Sequence, residues 1–396
     1  MSQQIPLGRP YLNKELILEE IGKVLDTKWI SGGPTIAKFE EALQNYIGGG
    51  PVVAVSNGTT AIEMALVYLN GGKRFTEQDE VIVPSWSWVA TGFAPITVGA
   101  TPKWCDVNEY GVPSVETIEK CITKNTKAIV IVHQMGVPCD LEAINELAAK
   151  YNIPVIEDTA CGFGSEYKGK KLGNSKNICT FSLQARKCLT TGEGGFVTVR
   201  TKEEAEWFKS YRAFGTTVSP LERDRAKFLL KESFGLVASN YKISDITAAV
   251  GLAQLKVFDE EVTLRDVAGR RYNFLVDSKL EGYAKVLNNT PDYCTKYNWQ
   301  NYHLLLAPRF DRDRVVDLLR KEGIGCKWDI QAIHSEPVFK DRYMNEGWIL
   351  TNTLRFHNNG LWLPFFAEIT DEQQVYVIDT LKSILEKLDD ESERTK

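Results

Sequence analysis

The chain has 396 residues, 43% of them hydrophobic, and a formal net charge of −5. That length can bury a large core, and two domains are expected, 1–258 and 259–396. An acidic balance without a basic block or tail argues against nucleic acid as a partner, and no uninterrupted apolar run reaches the length of a membrane span, which argues against a membrane.

In chain order, Lys14–Asp26 and Thr35–Tyr46 read as opening helices. Pro51–Val55 reads as a short strand, and Ser56-Asn57-Gly58-Thr59-Thr60 then feeds a helix over Ala61–Leu69. Free N–H groups and the helix dipole at such a turn suit a phosphate, although the same residue types also cap ordinary helices. The strand Glu80–Val83 runs into Pro84-Ser85-Trp86-Ser87-Trp88, whose tryptophans suit either packing or a flat surface for an aromatic cofactor. Ala128–Val132 and Ile153–Asp158 read as buried parallel strands around the helix Leu141–Tyr151. The second ends on Glu157 and Asp158, at the edge of the sheet where ligands of open α/β folds collect. Asp158 either caps the next turn or pairs with a buried cation such as a pyridinium nitrogen.

The next strand breaks into Ser182-Leu183-Gln184-Ala185-Arg186-Lys187, followed by Gly192, Glu193, Gly194 and Gly195. Lys187 is either a loop-edge lysine or an amine held for covalent Schiff-base chemistry. Thr216–Ser239 is charged and irregular, expected as a loop plus short helix over the mouth of the site. Ile243–Val257 reads as a helix lined by small residues, suited to a subunit contact or an interior one. Beyond it come a long charged helix over Asp259–Leu280, a strand at Asn301–Leu306, a helix at Arg312–Glu322, a closing helix at Thr370–Leu388 and a frayed tail from Asp389.

Taken together, the phosphate turn, the aromatic segment, the strand-end aspartate and the serine five residues before a lysine stand in the order found in pyridoxal phosphate enzymes. Across nearly its whole length the chain resembles the DegT/DnrJ/EryC1/StrS group of sugar aminotransferases, of fold type I. The most specific pieces are Ser182-x4-Lys187-x4-Gly192-Glu193-Gly194-Gly195, Trp29-Ile30-Ser31-Gly32-Gly33-Pro34 and Asn240-Tyr241-Lys242-Ile243-Ser244-Asp245. The resemblance implies an α/β fold with a mostly parallel central sheet, helices on both faces and a smaller α+β C-terminal domain. It implies pyridoxal 5'-phosphate as cofactor, with Lys187 bonding it covalently and moving the proton. Asp158 would sit at the ring nitrogen, Trp88 would stack on the ring, and Gly58, Thr59 and Ser182 would hold the phosphate. Asn240 would reach that phosphate from the second subunit of a homodimer. Two departures stand out: Cys161 lies near the cofactor's phenolic oxygen, where the family often has Gln or His, and Lys242 occupies a position where arginine is common.

A branch resembling this family carries histidine in place of the lysine and removes a sugar hydroxyl, so Lys187 favours transamination. The expected reaction moves an amino group from an amino acid, by resemblance L-glutamate, to a nucleotide-linked 4-keto-6-deoxy or 3-keto sugar. A cyclitol aminotransferase, a dehydratase on the same fold, and a non-catalytic sensor are the alternatives. Glu193 and His334 are candidate sugar contacts, each equally readable as a turn cap and a loop histidine. His133 reads as structural. Eight cysteines without a CxxC pair read as reduced thiols, with no metal site. The opening Met1–Pro6 lacks the features of a secretory signal, so a cytoplasmic location is expected.

Overall fold

The computed structural model describes residues 4–287, 289–340, 342–343 and 349–394. Its centre is a seven-stranded sheet, ordered Val52–Val55, Gly195–Thr198, Ile178–Ser182, Val155–Asp158, Thr126–Val132, Glu80–Pro84, Thr101–Cys105. Every pairing is parallel except the two made by Gly195–Thr198, which runs against both neighbours. Helices such as Gly58–Leu69 and Leu141–Tyr151 follow the strands, and the strands are buried nearly end to end, as sheets covered on both faces must be. Beneath the lysine turn, Phe181 and Phe196 stack across adjacent strands with centroids 4.2 Å apart. Burying each such ring contributes about 1.5–3 kcal/mol.

A second sheet of four strands, ordered Ala284–Val286, Tyr302–Leu306, Gly360–Leu363, Lys327–Trp328, follows the long helix Phe258–Lys279. Two shorter connections tie the halves of the chain together. Cys294–Lys296 pairs with Glu166–Tyr167, and the first described residues run with the C-terminal sheet, Ile5 bridging Ile324 and Leu7 O accepting from Phe365 N–H.

The motifs around Trp29–Pro34 and Asn240–Asp245 meet in space. Asp245, fully buried, accepts from Gly33 N–H (2.8 Å) and Thr35 N–H (2.9 Å), capping the helix Pro34–Ile47 from a distant part of the chain. Two expectations need correction. The helix expected from Ala61 starts at Gly58 with Asn57 as its cap, because the Asn57 side chain accepts from Thr60 N–H at 2.8 Å. The tail expected to fray from Asp389 is helical through Arg394. Arg309 grips Asp389 with two hydrogen bonds (2.8 and 3.0 Å) and Arg314 bonds Glu391 (2.7 Å), so the last turns are tethered to the smaller sheet's layer.

Candidate active site

The strand Val155–Asp158 lies at the middle of the large sheet and ends on two adjacent carboxylates. Strand alternation sends them to opposite faces, and their surroundings diverge accordingly. Glu157 is fully buried and accepts from Ser175 (2.6 Å), Asn177 (2.8 Å) and His133 Nε2 (3.1 Å). His133 Nδ1 in turn accepts Cys139 N–H at 3.0 Å, so the ring bridges the Glu157 carboxylate and the backbone. Burial pushes the Glu157 carboxyl up, but these hydrogen bonds outweigh it and hold the group below its ordinary range.

Asp158 has a different environment. It is buried, and it accepts only from Ala160 N–H and the Thr91 hydroxyl, both at 3.1 Å. Burial raises its pKa, opposed by the Ala160 hydrogen bond and the charge of Lys187. No cation forms an ion pair with it among the described residues. A buried carboxylate in that condition suits a protonated ring nitrogen, which would supply the missing charge. Thr91, on the first turn of the helix Val89–Thr97, bonds the Ser87 hydroxyl at 2.9 Å. Ser87, Thr91 and Asp158 thus form a buried chain beside the helix's N-cap residue, Trp88, which is 60% exposed and free to cover a ligand. Neither Ser87 nor Thr91 was singled out by sequence; a threonine on the first turn of a mostly apolar helix was the available signal.

Facing this floor, the turn after Ile178–Ser182 carries Lys187, half-buried, with Nζ 3.3 Å from the Cys161 sulfur. Gly192 and Gly194 have φ of +84° and +159°, the first in the left-handed region, and they let the chain double back so that Leu183 N–H reaches Gly194 O at 2.8 Å. A Cβ on Gly195 would stand 2.5 Å from the Asn57 carbonyl carbon, and one on Gly58 would stand 2.9 Å from Ser182 Cβ. Glycine at both positions lets the lysine strand and the helix Gly58–Leu69 close on each other. That contact gathers Gly58, Thr59 and Ser182 at a helix N-terminus whose first N–H groups have no intrahelical acceptor.

Asn240 lies exposed, bridged to Ala213, while Tyr241 O accepts Ser56 N–H at 2.7 Å, so it borders the same turn from outside. Lys242 points its amine toward the Phe214 ring, 5.6 Å from the centroid. Glu193 is exposed on the glycine turn. His334 is buried at the base of the Trp86–Trp88 segment, its ring nitrogens bonded to Ser85 Oγ (2.5 Å) and Ser335 Oγ (3.1 Å). Burial, with help from His357, lowers its pKa, so the ring is neutral at pH 7. A cavity of about 820 Å3 opens elsewhere, between the helix Phe258–Lys279 and the strand Cys294–Lys296, and none of the candidate site residues lines it.

Comparison with known proteins sets this geometry in context. Residues 12–382 match the model of the DegT/DnrJ/EryC1/StrS aminotransferase family. The chain belongs to that family. Among its relatives, the GDP-perosamine synthase of Escherichia coli O157:H7 is 33% identical over 388 residues, covering 95% of this chain and 97% of that protein. The aminotransferase TlmJ from Streptoalloteichus hindustanus is 26% identical with a TM-score of 0.86, over 98% of this chain and 100% of the other. Spr1654 from Streptococcus pneumoniae, solved in its PLP form, is 26% identical with a TM-score of 0.85, again over 98% and 100%. Aminotransferases of this family work with pyridoxal phosphate, and a buried aspartate with no ion pair among the described residues, a helix N-terminus with free N–H groups and a half-buried lysine are a fitting donor set for it. No group of His, Cys, Asp or Glu among the described residues could hold a metal ion, and no described helix is long and apolar enough to cross a membrane.

Proposed function

We propose that this aminotransferase moves an amino group from L-glutamate to a nucleotide-linked keto sugar of the 4-keto-6-deoxy or 3-keto class, in the making of an amino sugar. The observation that carries the reading is the Lys187 charge acting on a buried Asp158 that forms no ion pair among the described residues. The full-length relation to a protein named GDP-perosamine synthase supports a nucleotide-bound sugar as acceptor.

Pyridoxal phosphate, when bound, supplies an electron sink for negative charge at the donor's Cα. The chain's own residues do the rest. Asp158, oriented by Thr91 and Ala160, holds a proton at the ring-nitrogen end. Lys187 Nζ would take the donor's Cα proton and return it two bonds away, across the nitrogen, at the coenzyme's C4′. Trp88 covers one face and excludes water; Gly58, Thr59 and Ser182 hold the phosphate, and Cys161 stands beside the lysine amine. His334 and Glu193 are the proposed contacts at the sugar end.

The active unit is a homodimer in which Asn240 of one chain completes the phosphate site of the other. The exposed apolar residues Phe228, Leu229, Phe234 and Val237, in the segment leading to Asn240, support a second copy packed there. The eight free thiols suit a reducing compartment such as the cytoplasm.

The test incubates holoenzyme with 15N-glutamate and GDP-, UDP- and dTDP-linked keto sugars, following the label by mass, and maps coenzyme mass after borohydride reduction. Label in one sugar product and coenzyme fixed to Lys187 are expected. Label entering only a keto-cyclitol, deoxygenation without label, or ligand binding without transfer would each replace the proposal with the corresponding alternative.

A further inference from the structure

Between the long helix and the small sheet, the segment Asn298-Trp299-Gln300 crosses beneath the lysine turn. Gln300, 7% exposed, uses its side-chain amide twice on the turn's backbone. Its Nε2–H donates to Arg186 O at 2.7 Å, and its Oε1 accepts Cys188 N–H at 3.3 Å. Those two groups belong to the peptide planes immediately before and after the Lys187 Cα. One side chain therefore pins both planes that set the lysine's backbone dihedrals, and with them the direction in which its side chain leaves. Lys187 N–H, bonded to Gln184 O at 2.8 Å, closes the turn.

Asn298, fully buried, grips the opposite wall. Its Nδ2 donates to Cys161 O (2.8 Å) and Phe163 O (2.9 Å), its N–H to Ser165 Oγ (3.1 Å), and its Oδ1 accepts Gln300 N–H (3.1 Å). The wall bearing Cys161 and the turn bearing Lys187, whose side chains meet at 3.3 Å, thus hang from one tripeptide. Its middle residue is held out of its relaxed shape: Trp299 has φ +50°, which a bulky residue adopts only where its surroundings enforce it. Here they do. Arg265 Nη1 donates to Trp299 O (3.2 Å), the indole N–H donates to Asp266 (2.9 Å), and Gly269 leaves room for a ring that a Cβ there would meet at 2.3 Å.

We infer that Gln300, seconded by Asn298, is the positioning residue that fixes Lys187 relative to Cys161 and the donor's Cα. The inference rests on Lys187 being the reactive amine. Small misplacement of a proton-transferring group costs on the order of a hundredfold in rate, so a rigid two-plane grip has a catalytic consequence that generic core packing lacks.

The experiment prepares holoenzyme of Gln300→Ala, Gln300→Glu and Asn298→Asp, with Gln374→Ala as a control. Gln374 is also buried and doubly bonded, to Ala268 O and Arg271 (2.8 Å each), but sits away from the turn. Each variant is read by the pH midpoint of the bound coenzyme's visible band, the rate of Cα-deuterium exchange from the donor, and the melting temperature. Gln300→Glu keeps the acceptor for Cys188 and loses the donor to Arg186, so it guards against Gln300→Ala failing to fold. Expected are a displaced midpoint and an exchange rate reduced about a hundredfold in Gln300→Ala, with smaller changes in the other two and an almost unchanged donor KM. Gln374→Ala is expected to lower only the melting temperature. Gln300 variants that match Gln374→Ala, losing stability while band and exchange stay at wild-type values, would overturn the inference. If borohydride does not fix coenzyme to Lys187 in the wild type, the underlying reading fails instead, and the two failures are distinguishable.

Discussion

The two ends of the cofactor cleft are built on opposite plans. At the ring end, Ser87, Thr91 and Asp158 are buried and bonded to one another within the chain. At the proposed phosphate end, Gly58, Thr59 and Ser182 are half-open, and the neighbouring arm leaves Phe228, Leu229, Phe234 and Val237 at 73%, 84%, 62% and 99% exposure. A buried carboxylate tolerates no slack, so its partners must be supplied locally and in advance. A phosphate carries charge that surface groups can meet, so its site can wait for a second subunit. In the proposed homodimer, the contrast separates an end hydrogen-bonded within one chain from one that assembly completes.

The sharpest way to break the comparison is Asp158→Asn. Losing the carboxylate should lower transfer about a thousandfold, within the range of a lost acid–base group. The apoenzyme should respond in the opposite sense. Burial holds the Asp158 pKa above its ordinary value, so the folded apoenzyme binds this proton more tightly than the unfolded chain does. As pH rises from the ordinary aspartate value through the raised one, the wild-type apoenzyme therefore loses stability that the uncharged asparagine variant keeps. Thermal melts of both apo forms across that window should show the asparagine variant gaining a relative advantage that levels off once Asp158 is fully ionised. An advantage that is absent, or that grows toward acid, would mean the ring end is already paired within the chain.

The phosphate end is probed by Asn240→Ala, expected to weaken cofactor binding about tenfold through loss of one hydrogen bond to a charged group. Mixing that variant with Lys187→Ala is the decisive arm. If the site is shared, the mixed dimer contains one pocket with an intact Lys187 from one chain and an intact Asn240 from the other, and activity returns. Activity that stays at the level of the separate variants would show that each chain completes its own phosphate site.

The same division describes what could be read from sequence. Lys187 and Asp158 drew notice because polar residues at or just beyond the ends of apolar strands are conspicuous against a buried sheet, and the family resemblance proposed their roles. The lysine's supports were not. Gln300 and Asn298 lie far along the chain, between elements, and amides bonding to backbone leave no periodicity or spacing to detect. The paired segments Glu166–Tyr167 and Cys294–Lys296 are too short to carry a pattern, and their pairing depends on contacts more than a hundred residues apart. The start of the helix at Gly58 was missed because the apolar run begins at Ala61, whereas the helix is set by the Asn57 cap four residues earlier. The tail was misjudged for a related reason: its charged residues looked solvated, but Arg309 and Arg314 hold it in the helix.

Gly58→Ala should have the smallest effect of the three substitutions and still report on the open end. Gly58 is the first helical residue and does not need a left-handed backbone, so alanine is conformationally acceptable and is intrinsically the better helix former. Any loss must therefore come from space. The new Cβ would stand 2.9 Å from Ser182 Cβ and 3.3 Å from Ser182 Cα, contacts that only movement of the strand end or the helix can relieve. Overpacking of this size costs about 1 kcal/mol, which corresponds to roughly fivefold in cofactor affinity measured by spectroscopic titration. Because the displaced residues belong to the phosphate end, affinity should fall while the visible band of the bound cofactor, set by the ring end, stays in place. A shifted band would mean that the two ends are mechanically coupled, and the division between them would have to be withdrawn.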